Sequence, residues 1–228
     1  MMGFYESLIK WKSHIYDDFL INPKVVKYSI ISSMITFCSA LVIGFIVAQF
    51  DPDGYNIIDN YISDMGSFNH TPLPYFLDYG AMITSILLIP AIFYMEYRLA
   101  PNPIESGEFS RMRYRLSSLG SFCMFTGFFG FFMVGLFSED RTTSLGLHFI
   151  FSHVVFGGVV FSSIFYGLLI LFYKTEIPRL LGLYMIIFPF LTAALMLMYY
   201  TPLFEWIMLF ALLIWVVPVF GIFLKNLN

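Results

Sequence analysis

Six apolar runs, near residues 26–50, 75–97, 116–137, 147–173, 180–200 and 204–224, leave this chain little choice of fold. A bilayer core of about 30 Å is crossed by roughly 20 residues of helix. Hydrocarbon offers no partner for a backbone N–H or C=O, so each run must close its hydrogen bonds within itself, as a helix. The charged fraction agrees. It is 12% here, against about 25% in a soluble domain. The 28 Phe residues and a mean hydropathy of +0.79 exceed what a water-facing surface tolerates. The expected fold is therefore all-α, a polytopic membrane bundle of six transmembrane helices.

Two domains are expected: an N-terminal interfacial amphipathic segment over 1–24 and the six-helix domain over 25–228. In the first, Phe4, Tyr5, Leu8, Ile9 and Trp11 alternate with Lys10 and Lys12, as in a helix lying on a membrane surface. A frayed terminus is the alternative. The same stretch lacks the continuous apolar core of a signal peptide. The four-residue connection "TPLF" forces the last two runs into a tight hairpin. Gly127, Gly130, Gly135, Gly157 and Gly158 point to close helix contacts. Pro90, Pro189 and Pro218 fall inside runs, where neighbouring helices must satisfy the freed carbonyls.

Orientation follows from the cations. Lys10, Lys12, Lys24, Lys27, Arg98, Arg111, Arg113, Arg115, Lys174, Arg179 and Lys225 fall on one side of the expected bundle. Only Arg141 falls on the other. The asymmetry predicts both termini in the cytoplasm, in a multi-pass protein of the plasma membrane. A net charge of −3, thinly spread, excludes a nucleic-acid partner. Cys38 and Cys123 lie in apolar runs and read as packing residues rather than a disulfide. The middle of every run lacks charge, which argues against a voltage sensor, a buried proton relay or a transporter.

The non-cytoplasmic side gathers the chemistry. It carries Asp51, Asp53, Asp59, Ser63, Asp64, His70 and Asp78, then Glu139, Asp140 and Arg141, then His148 and His153, and Glu205. Ionisable groups at this depth turn toward the bundle interior or a wet cavity. In "YISDMG", Ser63 and Asp64 either cap a turn, with Gly66 supplying a positive φ, or act as donor and acid, base or ligand. His148 falls in the first turn of the fourth helix, with Ser152 four residues on, on the same face. His153 is rotated by about 140° from His148, so the two do not form a one-face metal pair. Glu139, Asp140 and Arg141 suit a solvated ion pair. Asp140 with Asp64 and His148 suits a zinc-like ion or a Ser–His–Asp proton relay. Glu205 and Trp206 read as an interfacial anchor, indole in the headgroups and carboxylate in water.

The segments "NYISDMG", "GFFMVGLFSED" and "LHFIFSHVVFGG" resemble the membrane family called domain of unknown function 998 (DUF998), similar in layout to the Frag/DRAM/Sfk membrane proteins. The resemblance implies six spans, a Ser-Asp-x-Gly signature at Ser63, Asp64 and Gly66, an acidic group at Glu139 or Asp140, and a helix-four histidine at His148. The family often carries Pro where this chain has Ser138. Two readings follow. In one, the protein binds or modifies membrane lipids at a polar extracytoplasmic pocket, by hydrolysis or acyl transfer. Asp64, His148, Ser63 and Asp140 are then catalytic, and Asp64 and His148 are ligands to a divalent metal such as zinc. In the other, the protein is a non-catalytic scaffold or assembly subunit, in a homo- or hetero-oligomer, and the Ser-Asp-Gly/His cluster is structural.

Overall fold

The computed structural model describes residues 14–101 and 110–227. Seven α-helices follow one another among these residues: α1 (Pro23–Ala48), α2 (Tyr75–Leu87), α3 (Ile89–Leu99), α4 (Arg111–Leu136), α5 (Leu147–Phe172), α6 (Arg179–Tyr199) and α7 (Pro202–Asn226). No strand occurs among them. Helices α1, α4, α5, α6 and α7 are each long and apolar enough to cross a membrane. The pair α2–α3 passes the same test as one bent unit, which brings the number of spans to as many as six. Of the amphipathic segment expected over 1–24, residues 1–13 lie outside the described residues. Tyr16–Leu20 forms one π-helical turn, with the Tyr16 ring edge-on to Phe93 of α3 at 5.9 Å.

Local sequence explains the helix ends. Asn22 Oδ1 accepts from the Lys24 N–H, and Pro23 occupies the first helical position of α1. There its missing N–H costs nothing, and its fixed φ suits the helix. The 41° bend between α2 and α3 falls at Pro90, whose ring removes a donor and crowds the preceding turn. A carbonyl at that break is satisfied from outside: Ser29 Oγ of α1 donates to Leu87 O at 2.5 Å. Most other hydroxyls bond within their own helix, as Ser32 does to Tyr28 O and Thr126 to Phe122 O. The carbonyl one turn back is the nearest acceptor when the surroundings are apolar.

The helices form a ring. Successive spans pack side by side, most extensively α4 on α5, while α7 meets α1 only sparsely. Glycine sets the α4–α5 distance: a Cβ on Gly158 would lie 2.5 Å from Gly127 Cα, and one on Gly130 2.9 Å from Val155 N. Gly157 differs from expectation, because nothing lies within 4 Å of a Cβ placed there. Helix α5 turns only one of two adjacent residues toward a neighbour. Tyr166, Trp215 and Phe223 are fully buried, and Tyr166 Oη lies 2.8 Å from Ser121 Oγ. Large apolar side chains such as Ile35, Phe122, Phe161 and Leu180 stay exposed, which makes an outer surface suited to lipid. Cys38 is exposed on that surface and not a packing residue; both cysteines are free.

Side-chain ties mark the two ends of the bundle. At one, Arg98 Nε donates to Glu176 Oε1 at 3.0 Å, and Asn226 Nδ2 also donates to Glu176. At the other, residues 51–74 fold across the helices, and the loop between α4 and α5 meets them.

Candidate functional site

The loop over the bundle is held by reciprocal bonds. Ile62–Gly66 is a short 3-10 helix. At its start the Tyr61 N–H donates to Asp64 Oδ2 at 2.8 Å, while the Asp64 N–H donates to Tyr61 O at 3.1 Å. Asp64 thus takes the acidic part of a capping box and is only 6% exposed. Gly66 does not adopt a positive φ, and any larger residue there would push on the Asp78 carboxylate. A Cβ there would stand 2.7 Å from Asp78 Oδ1.

Glu205 and Trp206, read as an interfacial anchor, both turn inward. Glu205, expected in water beside an interfacial Trp206, is 6% exposed, and its Oε2 accepts from the Ile62 N–H at 2.6 Å. Trp206 is buried as well, with its indole N–H donating to Asn60 O at 3.1 Å. The first turn of α7 points across the bundle end toward the loop, so both side chains find loop backbone before they find solvent. Arg141 is not paired with Glu139 or Asp140. It reaches back to Asp78 Oδ2 at 2.6 Å and to Ser138 Oγ at 3.0 Å.

The four residues singled out from the sequence separate into two roles. Asp140 is an exposed pin between loops: Ser67 Oγ donates to its Oδ1 at 2.7 Å, and the Phe68 N–H donates to its Oδ2 at 2.5 Å. Ser63 and His148 instead line a cavity of about 150 Å³ at the centre of the ring. His148 Nδ1 lies 2.9 Å from Phe137 O. A carbonyl only accepts, so Nδ1 carries the proton, and neutral His148 offers Nε2 as an acceptor. Asp64 lies close enough to His148 for an electrostatic interaction. His153 is turned away, with Nδ1 on Phe149 O and its ring against Phe149.

Asp78, Ser152 and Glu205 complete the polar cap of the cavity, whose walls come from α1, α2, α4, α5 and α7. Below the cap the lining is almost wholly apolar and reaches Leu88, Val159 and Phe220. Phe220 lies about 27 Å along α7 from Pro202, at 1.5 Å per residue.

Beside the cap lies a second grouping. Asp64, His70 and Glu139 each place one ligand-type atom within 4.8 Å of the others, the one such set of three among the described residues. Burial, and next the Asp64 carboxylate, push Glu139 above the usual carboxylate range. Its Oε2 is buried without a hydrogen-bond partner among the described residues. Sequence reasoning placed His70 on this side but assigned it no part. The signal was an imidazole in the same loop as the Ser-Asp-Gly turn.

No curated protein and no solved structure matches the chain. The model of one family, described as "Protein of unknown function (DUF998)", matches residues 37–220, which take in the helices that wall the cavity, the capped loop and both sides of the cluster. This multi-pass membrane protein belongs to the DUF998 family.

Proposed function

We propose that the protein binds a membrane lipid, with an acyl chain in the central cavity and the headgroup against its polar cap, on the non-cytoplasmic side of the plasma membrane. One observation carries this: a single cavity joins Ser63, Asp78, His148 and Glu205 at one end to apolar walls reaching Phe220. A water-soluble ligand would leave those walls unmatched, whereas a lipid complements both parts. The cap presents acceptors rather than free cations, since Arg141 is committed to Asp78. Headgroup hydroxyls or amines suit it better than a bare phosphate.

Hydrolysis or acyl transfer fits the same cavity. His148 Nε2 would take the Ser63 hydroxyl proton as the oxygen attacks an ester carbonyl and would pass it to the departing alcohol as the ester C–O bond breaks, leaving the acyl group on Ser63 for water or a second alcohol to accept. Asp64 and Asp140 then position the loop that carries Ser63. The scaffold reading draws its support from the same two carboxylates, which already serve as loop pins.

Native mass spectrometry of the detergent-purified chain separates these readings. Lipid should co-purify with the wild type and be lost from Ala81→Phe, which fills the cavity. It should persist in Ile35→Phe on the outer surface. Equal lipid retention in all three would refute cavity binding. Ser63→Ala and His148→Gln should keep the lipid and abolish its turnover if the protein is an enzyme. Labelling of Asn69→Cys by an impermeant maleimide on intact cells tests the outward orientation.

A further inference from the structure

We propose that Asp64, His70 and Glu139 bind a divalent transition-metal ion of the zinc type, which fastens the 51–74 loop to the loop between α4 and α5. The three residues come from different places. Asp64 lies in the 3-10 helix Ile62–Gly66, His70 in the loop that follows, and Glu139 in the short turn Glu139–Arg141. Their nearest ligand atoms lie within 4.8 Å of one another. Donors about 2.1 Å from a tetrahedral zinc ion stand about 3.4 Å apart, so small side-chain rotations complete the site.

Three observations point to a cation rather than to a set of acids that happen to be neighbours. Asp64 is more than nine-tenths buried, with only one of its oxygens committed to the Tyr61 N–H. Glu139 Oε2 is shielded from solvent and has no hydrogen-bond partner among the described residues. Without a cation, two carboxyl groups so placed either repel each other or share a proton, and a dication between them takes the place of that proton and meets the open acceptor. The nearby cation Arg141 does not serve that purpose, because its guanidinium is bound to Asp78, Ser138 and Gly135 O.

The donor set selects the metal. Calcium and magnesium favour all-oxygen shells, whereas one imidazole with two carboxylates suits zinc and its first-row neighbours. Two carboxylates also neutralise the ion's charge. Three protein donors leave a fourth position for water or a headgroup oxygen. The proposal differs from the sequence-based pairing of Asp64 with His148 in its partners for Asp64, which are His70 and Glu139, the residues whose ligand atoms lie within 4.8 Å of its own and of each other.

The test uses the full chain in detergent, stripped with EDTA, desalted and titrated with zinc chloride. About one zinc per chain should bind and raise the thermal midpoint. His70→Ala and Glu139→Gln should each weaken zinc about tenfold or more, at least the loss seen when outer-sphere partners of a metal are removed. His153→Ala should bind as the wild type does. Midpoints in EDTA identify variants that fold. If one does not fold, the visible absorption of cobalt bound to the wild type reports an imidazole–carboxylate site in its place. No stoichiometric zinc in the wild type, or unchanged affinity in folded His70→Ala and Glu139→Gln, overturns the proposal. Zinc is read without lipid, so this failure and the failure of lipid binding are distinguishable.

Discussion

Glu205 fastens the loop to the bundle, and Tyr55 ties the loop to itself. Glu205 Oε2 accepts from the Ile62 N–H across the chain. Glu205→Ala should lower stability by about 1–3 kcal/mol, the cost of leaving a buried donor unmet. Glu205→Gln keeps an oxygen acceptor and should cost less. Thermal midpoints in one detergent compare the two. Tyr55 Oη donates to Tyr61 O at 2.7 Å, and burial, reinforced by Asp64 and Glu205, raises its pKa above the ordinary 10. A phenol raised in the folded state keeps its proton after the unfolded chain has lost it. The folded form then binds more protons, and stability falls as pH rises above about 10. Tyr55→Phe should flatten that alkaline decline, as read from midpoints between pH 8 and 11.

At the scale of elements, the α4–α5 contact depends on which glycine faces the neighbour. Gly158→Ala drives a methyl into Gly127 backbone and should cost about 1–3 kcal/mol. Gly157→Ala meets open space and should gain up to about 1 kcal/mol from helix propensity. Opposite signs at adjacent residues, measured by thermal or denaturant unfolding, test the packing directly. Two shifts of equal sign would contradict it. The α2–α3 bend was foreshadowed by Pro90, but its repair by Ser29 was not, because that bond joins residues 58 apart.

For the whole molecule, the decisive contrast is between the lipid-facing surface and the cavity. Phe122 is 68% exposed near the middle of α4. Phe122→Lys should reduce membrane insertion by about 2.5–3.5 kcal/mol, the cost of a Lys at a helix centre. Phe122→Leu should leave insertion unchanged. A glycosylation-based insertion assay reads both. The ring closes least tightly between α1 and α7, and both helices contribute to the cavity lining, α1 through Ser33, Met34 and Phe37 and α7 through Leu212, Leu213 and Val216.

Spans, helical character and the polar end were legible in the sequence, because they follow from local quantities: run length, mean hydropathy and the backbone's need for partners in hydrocarbon. The segments around Ser63, Asp64 and His148 likewise carried the family membership. The site's composition was not legible. Asp140 and Glu205 both hold the 51–74 loop, Arg141 goes to Asp78, and His70 joins Asp64 and Glu139. Each of those choices depends on which helix ends face one another. Most of these contacts span 60 residues or more of chain, and no local spacing encodes which partner is nearest once the ring has closed.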